Sequence, residues 1–207
     1  MRASKPRDRN SHCFRCYLRR EICICRIIPV VQTQTEVLIL RHVRETGRPS
    51  NTGRLIDLSL PNSRILTCGG GDRIGLSSVD EELLHKPGTW LLWPDGTSAW
   101  PGKSDTILPD RIVVLDSTWR QARRLYSRLP VLRSMPRLAL PAPTLYRNRL
   151  RKQNRSDGMS TIEAVAAALA MLEGYEVAQP LERLFDEVVQ RTITWRWNGN
   201  LQNILLS

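Results

Sequence analysis

The segment RIVVLDSTW, residues 111–119, is the clearest indication of the fold, because an apolar run changes within it to polar residues and then to helical spacing. Its apolar part is short and typical of a buried strand, which would end at Asp116. The positions that follow recur at the spacing of one apolar helix face: Trp119, Ala122, Tyr126 and Leu129. A strand that turns directly into a helix indicates an α/β fold, with Asp116 at the carboxyl end of the sheet, where ligands bind.

The same alternation of strand and helix continues on both sides of this stretch. Short apolar runs typical of buried strands lie at 37–40, 64–67, 90–93, 112–115 and 138–140. Helical segments are predicted at about 52–59, 79–85, 118–129, 162–174 and 181–195. The sequence therefore predicts an α/β domain with a mostly parallel sheet and flanking helices.

Ahead of the first predicted strand lies a cluster of four cysteines with the pattern C-x2-C-x6-C-x-C: Cys13, Cys16, Cys23 and Cys25. Four thiolates this close together suit a structural, tetrahedral zinc ion, which can fold a loop too small for a core of its own. Two disulfides are the alternative, although disulfides are rare in the cytosol. The adjacent His12 could also change the ligand set. Cys68 stands alone and is expected to be a buried small side chain.

The charge of the chain is strongly positive and unevenly distributed. The 207 residues carry a formal net charge of +11, and 27 of the 31 basic residues are arginine. Between residues 111 and 155, twelve basic residues accompany a single acid, Asp116. Arginine grips phosphate in a bidentate way, so this distribution favours a nucleic-acid partner, although arginine richness alone can reflect genome composition. The candidate RNA contacts are Arg123, Arg147, Arg151 and Lys152.

Composition divides the chain into a basic, flexible tail at 1–12, a cysteine-rich knuckle at 13–35 and one globular domain at 36–207. No run reaches the roughly 20 apolar residues that a membrane helix needs, and the N-terminus lacks the apolar core of a secretory signal. We therefore expect a cytoplasmic protein without membrane contact.

Several polar positions have a purely structural explanation. Asp, Ser and Thr are preferred helix N-caps, so one of the three residues at 116–118 is expected to cap the helix that follows. Asn51 or Thr52 is a candidate cap for the helix after it, and Ser160 with Glu163 has the spacing of a capping box. Capping and function do not exclude each other.

The segment DSTW at 116–119, followed by Ala122 and Arg123, resembles the DTW-domain proteins, which are tRNA-uridine aminocarboxypropyltransferases. The resemblance extends to four further segments in the family's order: PSNTGRLI at 49–56, LWPD at 92–95, YR at 146–147 and STIEA at 160–164. With the cysteine knuckle, these motifs span roughly residues 13–170. On them the chain is identified as a member of the DTW-domain family.

The resemblance implies a SPOUT-like fold with a trefoil knot near the C-terminal part of the sheet. It also implies transfer of the 3-amino-3-carboxypropyl group of S-adenosylmethionine to N3 of a tRNA uridine, with methylthioadenosine leaving. The catalytic residues that it implies are Asp116, Thr118 and Trp119. The cofactor-binding residues that it implies are Asn51, Thr52, Arg54, Leu92, Pro94, Ser160, Thr161 and Glu163.

Two roles are open for Asp116 in such a reaction. As a base it would take or orient the N3 proton, and a pKa raised toward neutrality would suit that role, whereas the surrounding arginines are expected to lower the pKa. Alternatively, its charge would hold the amine or sulfonium of the donor. Trp119 would either stack on a base or pack its helix against the sheet. His42 and Glu45 resemble residues of a subset of the family and would bear on specificity.

Three other functions stay open. One is an RNA methyltransferase that uses the same cofactor, and another is an aminocarboxypropyltransferase that acts on ribosomal RNA. The third, a non-enzymatic zinc-knuckle RNA-binding protein, would leave the Asp116 turn and the Ser160 segment unexplained. The expected partner is tRNA. A monomer is expected, with a dimer as the alternative.

Overall fold

The computed structural model describes residues 11–69, 76, 78–94, 108–141, 150 and 158–205, without side-chain detail at 78–80 and beyond 197. The described residues form five strands: β1 (Glu36–His42), β2 (Ser63–Cys68), β3 (Thr89–Leu92), β4 (Arg111–Asp116) and β5 (Arg137–Leu138). They also form six α-helices: α1 (Gly53–Ser59), α2 (Ser78–His85), α3 (Trp119–Arg128), α4 (Pro130–Ser134), α5 (Thr161–Leu172) and α6 (Tyr175–Leu205). Short 3₁₀ turns lie at Arg20–Ile22 and Val43–Glu45.

The strands form one sheet in the order β2-β1-β4-β3-β5, and every described pair is parallel. The predicted parallel α/β sheet is therefore confirmed. Strand β4 lies between β1 and β3, so the carboxyl ends of these three strands meet at one edge of the sheet. In this register Arg41, near the end of β1, stands beside both Asp116 and Thr67.

Side chains alternate between the two faces of the sheet, and each face has its own helical layer. The face that carries Ile39 and Val114 packs against α1, α5 and α6. The opposite face, which carries Leu40 and Val113, packs against α2, α3 and α4. These side chains are almost completely buried, and each contributes about 1.5–3 kcal/mol through removal from water. As a result, α1 and α5 begin on one side of the edge that Asp116 occupies, and α3 begins on the other.

The predicted strands are confirmed to within two residues at each end, with β5 at Arg137–Leu138 instead of 138–140. Among the helices, α4 and both ends of α6 differ most from the predictions, since α6 runs to Leu205 instead of 195. Helix α6 begins at Tyr175 instead of 181, because Pro180 is accommodated inside the helix and does not mark its start. Helix α4 was not predicted; its five residues follow directly after α3, with Pro130 at the first helical position. On α3 the fully buried positions are Ala122 and Leu125, whereas Trp119 and Tyr126 are only half-buried.

The cysteine-rich segment packs against the domain. Cys16, Leu18 and Ile24 are buried in the same apolar cluster as the side chains of α5 and α6. The guanidinium of Arg191 on α6 donates a hydrogen bond of 2.8 Å to the backbone carbonyl of Cys23. The knuckle is therefore attached to α6 by both packing and hydrogen bonding.

Two expectations are only partly addressed by these residues. The tail at 1–12 lies almost entirely outside the described residues, which begin at 11, and the trefoil knot implied by the resemblance stays a prediction. No helix in the described part of the chain combines the length and the hydrophobicity that a membrane crossing requires.

Candidate active site at the carboxyl edge of the sheet

Asp116, the last residue of β4, lies at the centre of the candidate site. Its side chain is only 3% exposed. The amide nitrogen Nδ2 of Asn51 donates a hydrogen bond of 2.5 Å to Oδ2 of the carboxylate. The hydroxyl of Thr161 donates one of 2.8 Å to Oδ1. Asp116 thus joins three of the predicted motifs at a single carboxylate.

The starts of α1 and α5 are built around this carboxylate. Oδ1 of Asn51 accepts a 3.0 Å hydrogen bond from the backbone N–H of Arg54, so Asn51 both caps α1 and holds Asp116. The hydroxyl of Thr52 accepts a 3.4 Å hydrogen bond from the N–H of Ile162 in the first turn of α5. Gly53 is required by contact distance, because a Cβ atom there would lie 2.6 Å from Oδ2 of Asp116.

Burial raises the pKa of the Asp116 carboxyl above its ordinary value, and the hydrogen bonds from Asn51 and Thr161 oppose this rise. Among the nearby charges, Glu45 raises the pKa further and Arg41 lowers it. The lowering by Arg41 agrees with the expected effect of the arginines, but desolvation outweighs it, so the net shift is upward.

Thr118 performs the capping that the 116–118 turn was expected to provide. Its hydroxyl accepts a hydrogen bond of 3.4 Å from the N–H of Gln121, and its own N–H donates one of 2.9 Å to Oε1 of Gln121. The two residues form a capping box at the start of α3. Asp116 is thereby left to face α1 and α5.

Trp119 belongs to an aromatic cluster that joins the ends of β3 and β4. Its ring meets that of Trp93 edge-on, with centroids 6.2 Å apart. Trp93 in turn stacks on Tyr126 at 4.5 Å. Trp119 therefore packs against Trp93, which agrees with the packing role expected for it, and it is half-buried at the edge of the sheet.

His42 is the last residue of β1, and the sequence predicts that it bears on specificity. Its Nδ1 accepts a hydrogen bond of 3.1 Å from the N–H of Arg44 and lies 3.3 Å from Nε2 of Gln121. Gly69, with φ of +82°, brings its backbone so close that a Cβ would lie 2.8 Å from the ring. Burial lowers the pKa of His42, and the charge of Arg44 lowers it further.

The DTW domain model matches residues 10–193 of this chain. The chain belongs to the DTW-domain family. Three relatives illustrate the similarity. The "tRNA-uridine aminocarboxypropyltransferase 2" of Macaca fascicularis is 26% identical over 82% of this chain and 59% of its own length. The protein of the same name in Drosophila melanogaster is 28% identical over 87% of this chain and 74% of its own length.

The "tRNA-uridine aminocarboxypropyltransferase A" of Arabidopsis thaliana is 28% identical over 88% of this chain and 81% of its own length. This DTW-domain chain spans less than two thirds of the length of the mammalian relatives that it matches. No solved structure gives a significant match.

The remaining predicted donor-binding residues of the DTW domain lie around the same edge. Ser160 and Glu163 form the predicted capping box, in which Oε2 of Glu163 accepts a hydrogen bond of 2.7 Å from the N–H of Ser160. Leu92 is buried at the end of β3, and Pro94 is exposed just beyond it. The guanidinium of Arg54 is instead directed toward Asp57 and the knuckle.

Arg54 connects the DTW site to the knuckle. Its guanidinium pairs with Asp57 at 2.9 Å and donates a hydrogen bond of 3.0 Å to the backbone carbonyl of Arg15. It also lies 5.3 Å from the ring centroid of Tyr17. These contacts assign Arg54 a structural part in holding the knuckle beside α1.

The four cysteines of the knuckle are brought together as predicted. Their Sγ atoms all lie within 4.8 Å of one another, and the Cys13–Cys25 and Cys16–Cys23 pairs are 3.5 and 3.8 Å apart. Sulfur atoms at the corners of a tetrahedron around zinc are about 3.8 Å apart, so these four fit that ion. His12 is not among the grouped ligands of the described residues.

The pKa of Cys13 is shifted in the opposite direction to that of Cys68. Burial raises the pKa of Cys13, but hydrogen bonds from the backbone at Cys16 and Arg15 and from neighbouring thiols bring it to about 6. Burial raises the pKa of Cys68 to about 12. Cys68 is a buried thiol, as predicted.

The predicted RNA contacts are only partly described. Arg123 is exposed on α3, whereas Arg147, Arg151 and Lys152 lie outside the described residues.

Sequence reasoning missed Gly53, Gln121 and Arg41. The T-x-x-Q spacing of Thr118 and Gln121 carries a capping-box signal that could have identified Gln121. No local pattern marks Arg41, which comes beside Asp116 through strand pairing.

Proposed function

We propose that this DTW-domain protein transfers the 3-amino-3-carboxypropyl group of S-adenosylmethionine to N3 of a uridine in tRNA. The observation that carries the proposal is the carboxylate of Asp116, which accepts hydrogen bonds from Asn51 and Thr161 of two other family motifs. The proposal agrees with the names of the relatives, which are tRNA-uridine aminocarboxypropyltransferases.

The reaction exchanges one bond to carbon for another. The N3–Cγ bond forms, the Cγ–S bond breaks, methylthioadenosine leaves and the N3 proton is lost. S-adenosylmethionine supplies a sulfonium leaving group, so the protein's main contribution is to orient the two reactants, while the N3 proton passes to solvent. Orientation alone can contribute up to about 7–11 kcal/mol.

For Asp116, the contacts favour a positioning and electrostatic role over that of a free base. Both of its oxygens already accept hydrogen bonds, and the side chain is almost fully buried. In this role the carboxylate fixes the first turns of α1 and α5, and its charge attracts the amine or sulfonium of the donor. Thr118 and Trp119 then form the wall of the site beside the acceptor uridine.

In this proposal the carboxylate of the donor lies near the start of α5, because the helix dipole presents positive charge there. The N–H groups of Ile162 and Glu163 already donate to Thr52 and Ser160, so the dipole supplies the attraction. In this proposal the donor lies along the turns that contain Asn51 and Thr52 on one side and Ser160, Thr161 and Glu163 on the other. Leu92 and Pro94 border it at the end of β3.

The other parts of the proposal concern partners and setting. Arg123, Arg147, Arg151 and Lys152 contact the phosphates of tRNA, and Cys13, Cys16, Cys23 and Cys25 hold a structural zinc ion. The protein acts as a monomer in the cytoplasm, as the sequence leads us to expect.

The test is to incubate the purified protein with unmodified tRNA transcripts and S-adenosylmethionine, digest the RNA and analyse its nucleosides by mass spectrometry. We expect aminocarboxypropyl-uridine and released methylthioadenosine. Asp116→Ala should abolish the product, while Asp186→Ala, which changes an exposed acid on α6, should leave it unchanged. A methylated nucleoside with S-adenosylhomocysteine would replace this proposal with a methyltransferase, and product on ribosomal RNA alone would change the substrate.

A further inference from the structure

The knuckle carries a groove whose lining includes none of the residues around Asp116. This groove, of about 600 Å³, is open to solvent and is lined by Phe14, Arg20, Arg26, Ile27 and Arg191, together with two of the cysteines. Its volume lies in the range of pockets that hold small ligands. We call it the knuckle groove.

Two apolar side chains on the groove are unusually exposed. Phe14 is 68% exposed and Ile27 is 43% exposed, although both are large hydrophobic residues. Neither contributes to the apolar clusters of the described core. An exposed aromatic ring surrounded by cations is the combination on which unstacked nucleotide bases are bound.

The charged lining is basic throughout. Arg20 and Arg26 are exposed, and the guanidinium of Arg20 lies 6.0 Å from the ring centroid of Phe14. Arg191 has a structural part, since it donates to Cys23 and pairs with Glu187. Arg20 and Arg26 are therefore the lining cations that are available to bind a phosphate.

A second arginine–aromatic pair continues this surface. The guanidinium of Arg19 lies 4.4 Å from the ring centroid of Trp195, which follows Arg191 by one turn of α6. Residues four apart share one face of a helix, so α6 presents this pair next to the groove.

The knuckle is also attached to the element that holds the catalytic carboxylate. Arg54 on α1 donates to the carbonyl of Arg15, the residue after Phe14, and its backbone N–H donates to Asn51. Asn51 contacts Asp116. The knuckle is therefore connected to Asp116 through Arg54 and Asn51.

We propose that the knuckle groove binds a single-stranded nucleotide of the RNA substrate, with its base on Phe14 and its phosphate between Arg20 and Arg26. This inference rests on the proposed function for the identity of the RNA. A zinc ion held by four thiolates carries a net negative charge, which the arginines would also offset. Phe14 is uncharged and cannot offset the charge of the metal site. Its substitution therefore tests RNA binding separately from support of the metal site.

The experiment measures RNA affinity without the donor, by fluorescence anisotropy, with an unmodified tRNA transcript and with a short oligouridylate. Phe14→Ala should weaken both complexes by about 5- to 150-fold, as expected for the loss of one aromatic–base stack. Arg20→Gln and Arg26→Gln should each lower the slope of log affinity against log salt by about one.

Matched controls come from the far end of α6. Tyr175→Ala removes an exposed aromatic ring about 24 Å along the helix from Arg191, and Arg183→Gln removes an exposed cation. Both should bind RNA like the unchanged protein. Circular dichroism and zinc content should be the same for all variants, because the substituted side chains are exposed.

The outcomes distinguish this inference from the proposed function. If Phe14→Ala and Arg26→Gln bind both RNAs like the controls, the knuckle groove is not an RNA site, whatever the transfer assay gives. If binding falls as expected but no aminocarboxypropyl-uridine forms, the groove stands and the proposed reaction fails.

Discussion

Among single residues, Asp116 is the most informative, because its carboxylate is buried and both of its oxygens accept hydrogen bonds. Ionised Asp116 accepts one hydrogen bond at each oxygen, but its burial still raises its pKa. A buried charge of this kind costs stability and is retained where it serves a function. Its protonation should therefore be visible in both folding and activity.

We expect Asp116 to make the stability of the protein depend on pH. A carboxyl whose pKa is higher in the folded than in the unfolded protein stabilises the fold below about pH 3.9, and this contribution is lost as pH rises through the raised pKa. The stability of the unchanged protein should thus fall relative to Asp116→Asn as pH increases. Urea denaturation of both proteins over a pH series measures this difference. A difference that is constant with pH would show that Asp116 has its ordinary pKa in the fold.

Gly53 is predicted not to tolerate a side chain. A methyl group at this position would lie 2.6 Å from Oδ2 of Asp116, so Gly53→Ala must displace the carboxylate or the start of α1. We expect a loss of about 1–3 kcal/mol in the free energy of unfolding, together with loss of transfer activity. Ser59→Ala in the same helix is the control, since its Oγ is buried with no hydrogen-bond partner among the described residues and its removal should not destabilise. Equal stability of the two variants in urea would contradict the crowding seen at Gly53.

At the scale of elements, the start of α5 combines a structural motif with a proposed donor site. Ser160 and Glu163 form a capping box, which is sufficient to explain both residues. Ser160→Ala should lower the free energy of unfolding by about 0.5–2 kcal/mol. Glu163→Gln should change it little, because glutamine can serve at that position of the box.

Transfer kinetics of the same two variants separate capping from donor binding. If Glu163 only caps α5, Glu163→Gln should keep the KM for S-adenosylmethionine. A KM that rises while the stability in urea is unchanged would assign the charge of Glu163 to the donor.

The elements also show which parts of the structure are readable from the sequence. The strands were predicted because each is a short apolar run, and α3 and α5 because polar caps precede apolar periodicity. The position of β4 between β1 and β3 was not predicted, since no local sequence pattern encodes strand order. For the same reason Asp116 could be placed at a strand end, but not its partners Asn51 and Thr161, which lie 65 and 45 residues away.

At the scale of the whole molecule, the knuckle and the domain share one apolar core. Buried Cys16, Leu18 and Ile24 pack in the same cluster as α5 and α6. Loss of the metal that we propose should therefore destabilise the entire protein. We expect one zinc per chain on elemental analysis, and a lower thermal midpoint after treatment with a strong chelator.

Cysteine variants provide the matched comparison for this prediction. Cys16→Ser should lose zinc and fold poorly, whereas Cys68→Ser changes a buried thiol outside the cluster and should keep the full zinc content. Full zinc content in Cys16→Ser, or an unchanged thermal midpoint without metal, would contradict the zinc site.

The distribution of charge predicts how one RNA covers the molecule. Two basic surfaces are described: the solvent side of α3, where Arg123 is exposed, and the knuckle groove, where Arg26 is exposed. If one tRNA contacts both surfaces at once, each phosphate contact contributes separately to the release of counterions. Arg123→Gln and Arg26→Gln should then each lower the salt slope of tRNA binding by about one, and the double variant by about two. Arg183→Gln should leave the slope unchanged. A double variant whose slope equals that of either single variant would mean that the two surfaces are alternative sites, and that the tRNA does not extend from the DTW motif to the knuckle.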